Sequence, residues 1–127
     1  MIRGMGQDIF GAIERRKGLG WEYVEDLDTA RRCYEAFDLL YEAGNTNPET
    51  WTTKTNRALC WGSGGDVVAV FATTLLRIKE ELCAAHERHA PRGQPSQPCG
   101  FGHELVEQIV RVVGDEPEAY RIVYKLD

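Results

Sequence analysis

Cysteine and histidine side chains are concentrated in one short stretch of this 127-residue chain. All three histidines fall in it with two of the four cysteines, in the order Cys83, His86, His89, Cys99 and His103. Cys83 and His86 lie one helical turn apart, and their spacing to Cys99 and His103 is compatible with a tetrahedral zinc site. The alternative is a small core cysteine, two histidines at the negative end of a helix, and a cysteine in a loop. A proline-rich loop separates the two pairs, so we expect no bound zinc and keep Cys83, His86, Cys99 and His103 as the alternative metal site.

Four carboxylates share the first predicted hairpin: Asp8, Glu14, Glu22 and Asp26. Asp8 and Glu14 fall on the same face of one strand but about 20 Å apart, given the rise of an extended chain. That separation is too large for a paired general acid and base. We therefore expect these carboxylates to lie on a solvated sheet edge. The alternative is that Glu14 and Glu22 approach each other across the hairpin and support a metal-dependent nuclease.

A glycine-rich loop ending at Asp66 precedes a predicted helix, and free N–H groups at such a helix start can hold a phosphate or carboxylate. No lysine follows the loop, and Asp66 repels an anion, so residues 62–66 favour a flexible helix entry. No nucleophilic triad can be assembled from the serines and threonines. We therefore expect no catalytic residues and no cofactor.

Aromatic residues in predicted loops are the stronger candidates for function. Trp51, Trp61 and Phe101 fall outside the periodic apolar faces. Such residues either cover the core or anchor a partner. We interpret Trp51 and Trp61 as partner contacts, with Glu49 and Asp66 steering the encounter. If both tryptophans only cover the core, their replacement by alanine lowers stability rather than binding.

The composition of the chain excludes several classes of protein. The chain is 43% hydrophobic and 28% charged, close to the average of globular domains. Its net charge of −5 leaves no broad basic field, so we expect no direct nucleic-acid binding. The longest apolar run, residues 67–72, is too short to span a membrane. The N-terminus lacks the apolar region of a signal peptide, which predicts a cytoplasmic protein with free thiols.

Hydrophobic periodicity predicts an α+β fold in one domain of residues 1–127. Alternation predicts strands over 8–16 and 21–26 joined as a hairpin, and a last strand over 120–126. Helical spacing predicts helices from about 29 to 43, 67–90 and 102–113, with loops over 45–55 and 91–98. The order β-β-α-α-α-β favours a three-stranded, mostly antiparallel sheet covered by helices on one face. The predicted core contains Phe37, Phe71, Leu75, Ile78, Leu105 and Ile109.

Short motifs at both ends of the chain resemble a family of small bacteriophage- and prophage-encoded proteins of unsettled function. They are Met5-Gly6-Gln7-Asp8-Ile9 with Glu14 and Gly20-Trp21-Glu22, a central Trp61-Gly62, and the terminal run from Arg121 to Asp127. Members carry a histidine after Asp-Ile, where this chain has Phe10. The resemblance implies a phage setting in the host bacterial cytoplasm, and it suggests Met5 as an alternative start of translation.

Together these observations predict a small acidic accessory protein that acts by binding a host or phage protein, for example as an inhibitor of a host or defence protein. Its carboxylates are spread along strands, its glycine loop lacks a lysine, and the family histidine is replaced. The expected mode of action is therefore binding without turnover. The alternative is a small metal-binding protein or metal-dependent enzyme built on the cysteine and histidine cluster.

Overall fold

A five-stranded antiparallel sheet forms the centre of this α+β protein. The computed structural model describes residues 9–28, 33–60, 65–85 and 100–126. Within them the strands are β1 Ile9–Lys17, β2 Gly20–Asp26, β3 Asn45–Thr46, β4 Val68–Phe71 and β5 Tyr120–Leu126. The helices are α1 Tyr34–Ala43, α2 Thr53–Leu59, α3 Ala72–Arg77, α4 Lys79–Ala84 and α5 Phe101–Val113. The strand order across the sheet is β2-β1-β5-β4-β3.

The hairpin and the last strand lie together as the sequence predicts. β1 pairs antiparallel with β2 on one side and with β5 on the other. The β1–β2 turn contains Gly18 at a φ of +59°, a conformation that side chains other than glycine rarely adopt. The pairing of β1 with β5 places Glu14 directly opposite Arg121.

The predicted three-stranded sheet is wrong in its size, because β4 and β3 extend the sheet beyond β5. Residues 67–90, predicted as one long helix, contain β4 followed by the short helices α3 and α4, which meet at Ile78. A short apolar run that is rich in β-branched residues suits a buried strand as well as a buried helix, and periodicity alone does not separate them. Residues 86–90 of that prediction lie outside the described ranges.

Two helices also differ from the prediction. α2 lies inside the segment predicted as a loop, and the Thr52 side chain caps it by accepting a hydrogen bond from the Thr55 N–H. α1 begins at Tyr34, whereas the predicted start near residue 29 falls where the structure gives no description. The prediction for α5 is confirmed to within one residue.

The two faces of the sheet carry different layers. The main core lies on the face covered by α1, α3, α4 and α5. A smaller cluster on the opposite face joins Leu59 of α2 to Ala69 and Val123, with Trp51 packed against it. Because residues alternate along a strand, Ile122 and Tyr124 face the main core while Val123 faces α2. The prediction of helices on one face only is therefore wrong for α2.

Most predicted core residues are confirmed. Four of the six are buried, and Ile78 is partly buried against the same cluster. Phe71 is the exception, because it ends β4 opposite Arg121 on the α2 side of the sheet, where it stays 40% exposed. Phe101, predicted in a loop, begins α5 and is fully buried, with its ring 5.1 Å from that of Phe37.

The cysteines do not all keep free thiols. Cys33, buried just before α1, is disulfide-bonded, while Cys60 and Cys83 are free. The expectation of free thiols is therefore wrong for Cys33.

Candidate functional site

A buried ion pair lies at the centre of the α2 side of the sheet. The Glu14 carboxylate is fully buried, and its Oε1 accepts hydrogen bonds from Arg121 Nε at 3.0 Å and Nη2 at 2.8 Å. Its Oε2 accepts from the Thr52 N–H at 2.8 Å and from Thr55 Oγ1 at 2.7 Å. Arg121 Nη2 also donates to the Thr50 carbonyl oxygen at 2.6 Å. The pair therefore joins β1, β5 and the start of α2.

The solvated sheet edge expected for the hairpin carboxylates is wrong for Glu14, which is fully buried, and the alternative pair of Glu14 and Glu22 does not form either. A register shift after Ile13 places Glu14 opposite Tyr23, whereas Glu22 lies opposite Arg15 and forms ion pairs with Arg15 and Lys17. The two carboxylates do not approach each other. Glu14 is also inaccessible to a metal ion or a substrate, because protein donors occupy both of its oxygens. Asp8, the other carboxylate considered with them, falls outside the described residues.

Trp21 covers this ion pair from the solvent side. The Arg121 guanidinium carbon lies 4.0 Å from the centre of the indole ring, and that of Arg16 lies 4.7 Å from it. The Phe71 ring is 6.3 Å away, tilted by 39°. Cation–π contacts of this kind stabilise the indole in this orientation. Trp21 is consequently both a cover for the buried charges and a rigid part of the surface.

Two exposed apolar residues lie near Trp21 at the end of the β1–β2 hairpin: Leu19 in its turn and Phe71 beside the indole ring. Leu19 is fully exposed at the turn, and Phe71 is 40% exposed beside Trp21. Arg16 and Lys17, the last two residues of β1, are exposed next to the turn, and Lys17 also forms an ion pair with Glu22. We call these five residues, Arg16, Lys17, Leu19, Trp21 and Phe71, the hairpin-end surface. It combines large apolar groups with two cations on rigid secondary structure.

A cleft between β2 and α2 adjoins this surface. It has a volume of about 380 Å³ and is lined by Tyr23, Asp26, Lys54, Arg57 and Ala58, and we call it the Lys54 cleft. The Tyr23 hydroxyl donates to Asp26 Oδ1 at 2.8 Å, and Lys54 Nζ lies 5.6 Å from the centre of the Tyr23 ring. Burial, followed by the hydrogen bond to Asp26, raises the pKa of Tyr23. The phenol therefore stays a neutral donor at physiological pH.

A second open cavity, of about 370 Å³, lies beside α5 and is lined by Asp28, Glu104, Glu107, Gln108 and Arg111. The buried Gln108 amide donates to the Asp26 carbonyl oxygen at 2.8 Å and accepts from the Asp28 N–H at 3.1 Å. Arg111 donates two hydrogen bonds to Glu25. These contacts tie the end of the hairpin to α5.

The residues predicted to touch a partner lie at different places. Trp51 is half-buried against the smaller core cluster, and its Nε1 donates to Asn56 Oδ1 at 3.1 Å. Glu49 is exposed two residues before it. Asp66 is exposed two residues before β4, where it accepts hydrogen bonds from Tyr41 and Asn47. Trp61 lies outside the described residues, so its role as a contact stays a prediction.

The alternative metal site is only partly described. Cys83 lies on α4 and His103 on α5, whereas His86 and Cys99 are outside the described ranges. Burial raises the pKa of the Cys83 thiol, which disfavours the thiolate that metal binding requires. Among the residues that the structure describes, no three histidine, cysteine or acidic side chains form a group suited to a metal ion. The glycine loop before Asp66 is likewise mostly outside the described part of the chain.

Sequence reasoning missed the residues that the fold brings together around Trp21. The sequence pattern predicts Phe71 in the core and singles out no role for Leu19. A usable signal was present in the alternation of β1 and β2, which puts Glu14, Arg16 and Trp21 on the face opposite the main core. The contribution of Phe71 required knowing that residues 68–71 are a strand.

The helices of the described ranges are all too short or too polar to cross a membrane. A comparison of the chain with protein-family models gives no match, and neither a search of curated proteins nor a search of solved structures gives one. The resemblance to phage-encoded proteins therefore stays a prediction.

Proposed function

We propose that this protein acts by binding another protein through the hairpin-end surface, without turnover of its own. The observation that carries the proposal is the exposure of Phe71 beside the Trp21 ring, together with the full exposure of Leu19 in the adjoining turn. Single exposed apolar residues are normal on protein surfaces, whereas adjacent ones backed by rigid structure are typical of interfaces.

The chemistry of the surface supports this role. Tryptophan and arginine are enriched among the residues that dominate binding energy at protein interfaces. Arg16 and Arg121 already hold the Trp21 ring, so less side-chain entropy is lost when a partner covers it. Affinity would come from burying Phe71 and Leu19, and selectivity from the charge of Arg16 and Lys17.

The buried polar groups are hydrogen-bonded within the protein, and this supports a role without turnover. Glu14, Thr55, Gln108 and Arg121 are the buried polar residues of the described ranges, and each is hydrogen-bonded inside the protein. Their contacts join secondary-structure elements to one another. This use of the polar groups is what a rigid binding scaffold requires.

The resemblance noted in the sequence suggests a host or phage protein as the partner, and the inhibition of a host or defence protein as one outcome. Trp51 and Glu49 lie close in sequence to Thr50, which contacts Arg121, so they belong to the region that a large partner could cover. They therefore remain secondary candidates for contact.

The test is affinity capture from a bacterial lysate, followed by binding measurements on purified variants. Phe71→Ala and Leu19→Ser are expected to weaken the recovered interaction by about tenfold or more, because buried anchors carry most of the affinity. Val110→Ala is the matched control, since Val110 is 53% exposed on α5, away from the hairpin. Thermal melts of all three variants show whether the fold is intact. Failure to capture a partner, or capture that is unchanged by Phe71→Ala and Leu19→Ser, contradicts the proposal.

A further inference from the structure

The outer side of β2 is an unoccupied edge within the described part of the sheet. β2 has seven residues and is the terminal strand of the order β2-β1-β5-β4-β3. Edge strands present backbone N–H and C=O groups on which another extended chain can add a strand. The other terminal strand, β3, has only two residues and offers much less.

A row of aromatic and cationic side chains runs beside this edge on the α2 side. Arg16 stacks on Trp21 near the turn, and Lys54 lies over Tyr23 further along the strand. Arg57 follows Lys54 by one helical turn of α2, and both line the Lys54 cleft. The row therefore places three cations along one strand edge.

The cations of this row are only partly balanced by carboxylates of the described residues. Lys54 and Arg57 form no ion pair with any described residue, in contrast to Arg111, which is held by Glu25. The carboxylate of the cleft, Asp26, accepts a hydrogen bond from Tyr23. With Lys54 and Arg57 against one carboxylate, Asp26, the lining of the Lys54 cleft carries a net positive charge in a chain of net charge −5. Such a site attracts anionic groups over a distance set by ionic screening.

We propose that an extended acidic segment of the partner protein binds along the outer edge of β2. Its backbone pairs with that of β2, and its carboxylates meet Lys54 and Arg57 in the Lys54 cleft. The inference rests on the proposed function and names the kind of partner: an acidic strand that extends the sheet.

A peptide fits this site better than a nucleic acid does. The outer backbone groups of β2, which pair with no strand of the described ranges, match those of another polypeptide strand. Single-stranded nucleic acids gain most from stacking bases on open aromatic faces. Arg121 and Arg16 both lie against the Trp21 ring, and Lys54 lies over the Tyr23 ring, so these faces are already engaged.

The test uses a fluorescein-labelled peptide of alternating Glu and Val as the probe, with a Lys–Val peptide and an oligothymidylate of similar length as comparisons. Fluorescence anisotropy is expected to give a dissociation constant for Glu–Val between about 10 μM and 1 mM. The variant Lys54→Glu/Arg57→Glu should weaken this binding by about tenfold or more, as should raised salt. The variant Arg77→Glu/Lys79→Glu changes the net charge equally at exposed positions outside the cleft, and it should bind as the wild type does.

Hydrogen exchange in the presence of the Glu–Val peptide locates the contact. Slower exchange of amides in residues 20–26 is expected if the peptide pairs with β2, and unchanged exchange there overturns the proposal. The proposal is also overturned if the Lys–Val peptide binds as tightly as Glu–Val, or if the oligothymidylate binds more tightly. It is overturned as well if both charge-reversed variants lose the same affinity for Glu–Val. A further result is that substitution of Leu19 and Phe71 weakens the binding of a captured partner, whereas substitution of Lys54 and Arg57 does not. That result contradicts this inference and supports the proposed function.

Discussion

The buried ion pair of Glu14 and Arg121 should be the most sensitive point of the fold. The perturbation is Arg121→Met, which keeps an apolar stem of similar length and removes the guanidinium. Glu14 then loses two of its four hydrogen bonds and its only ion-pair partner within the described residues. Glu14 is fully buried, so water does not replace what is lost.

The magnitude follows from that burial. Removing one partner of a buried ion pair typically costs about 3–5 kcal/mol, because the remaining charge is left uncompensated. For a chain of this length, that loss should lower Tm by about 10–20 °C. The double variant Glu14→Gln/Arg121→Met leaves neither charge unpaired. It should therefore lose about 1–3 kcal/mol less than the two single variants added together.

Urea unfolding followed by circular dichroism gives the free energy of unfolding of four proteins: the wild type, Glu14→Gln, Arg121→Met and the double variant. Arg111→Met is the control, because it breaks the exposed pair with Glu25 and should leave stability close to that of the wild type. If Arg121→Met lost less than about 1 kcal/mol, the buried pair would not carry the stability assigned to it. Strict additivity in the double variant would show that the two side chains are not coupled.

Three further outcomes can be checked on single variants. Gly102→Ala should lower the free energy of unfolding in urea by about 2–4 kcal/mol, because a Cβ at this position would overlap the backbone of α4. Gly20→Ala is the control, since a Cβ at Gly20 has room. Trp51→Ala should lower stability by about 2–4 kcal/mol through lost packing on the smaller core cluster, and an unchanged melt would show that the ring does not cover it. Tyr23 should ionise above its usual pH of about 10 in a spectrophotometric titration compared with Tyr23→Phe, and Asp26→Asn should lower that pKa. Since the folded-state pKa of Tyr23 is raised, its contribution to stability is present below pH 10 and is lost as the pH rises through the folded-state value.

The local pattern of the chain was enough for the hairpin, the last strand and α5. β1, β2 and β5 show two-residue alternation next to turn residues, and α5 shows a long helical stripe that ends at Gly114. In these segments the local preference and the tertiary environment favour the same structure. The prediction of one helix over residues 67–90 is wrong because the apolar start of this segment suits both a helix and a central strand. Pairing with β5 decides between them, and that partner is more than 40 residues away in sequence.

The candidate site also combines features that the local sequence predicts with features that depend on distant parts of the chain. Sequence alone determined the class of fold, the position of Trp21 on a hairpin and the presence of charged residues near it. It could not show that Glu14 meets Arg121, which lies 107 residues away, because strand register alone brings the two side chains opposite each other. It also could not separate the exposed Phe71 from its buried neighbours in β4, since exposure depends on which face of the sheet the helices cover. Side-chain types and short-range periodicity are local properties of the chain, whereas register, burial and the sorting of charge onto one side of the molecule arise only when distant strands pair.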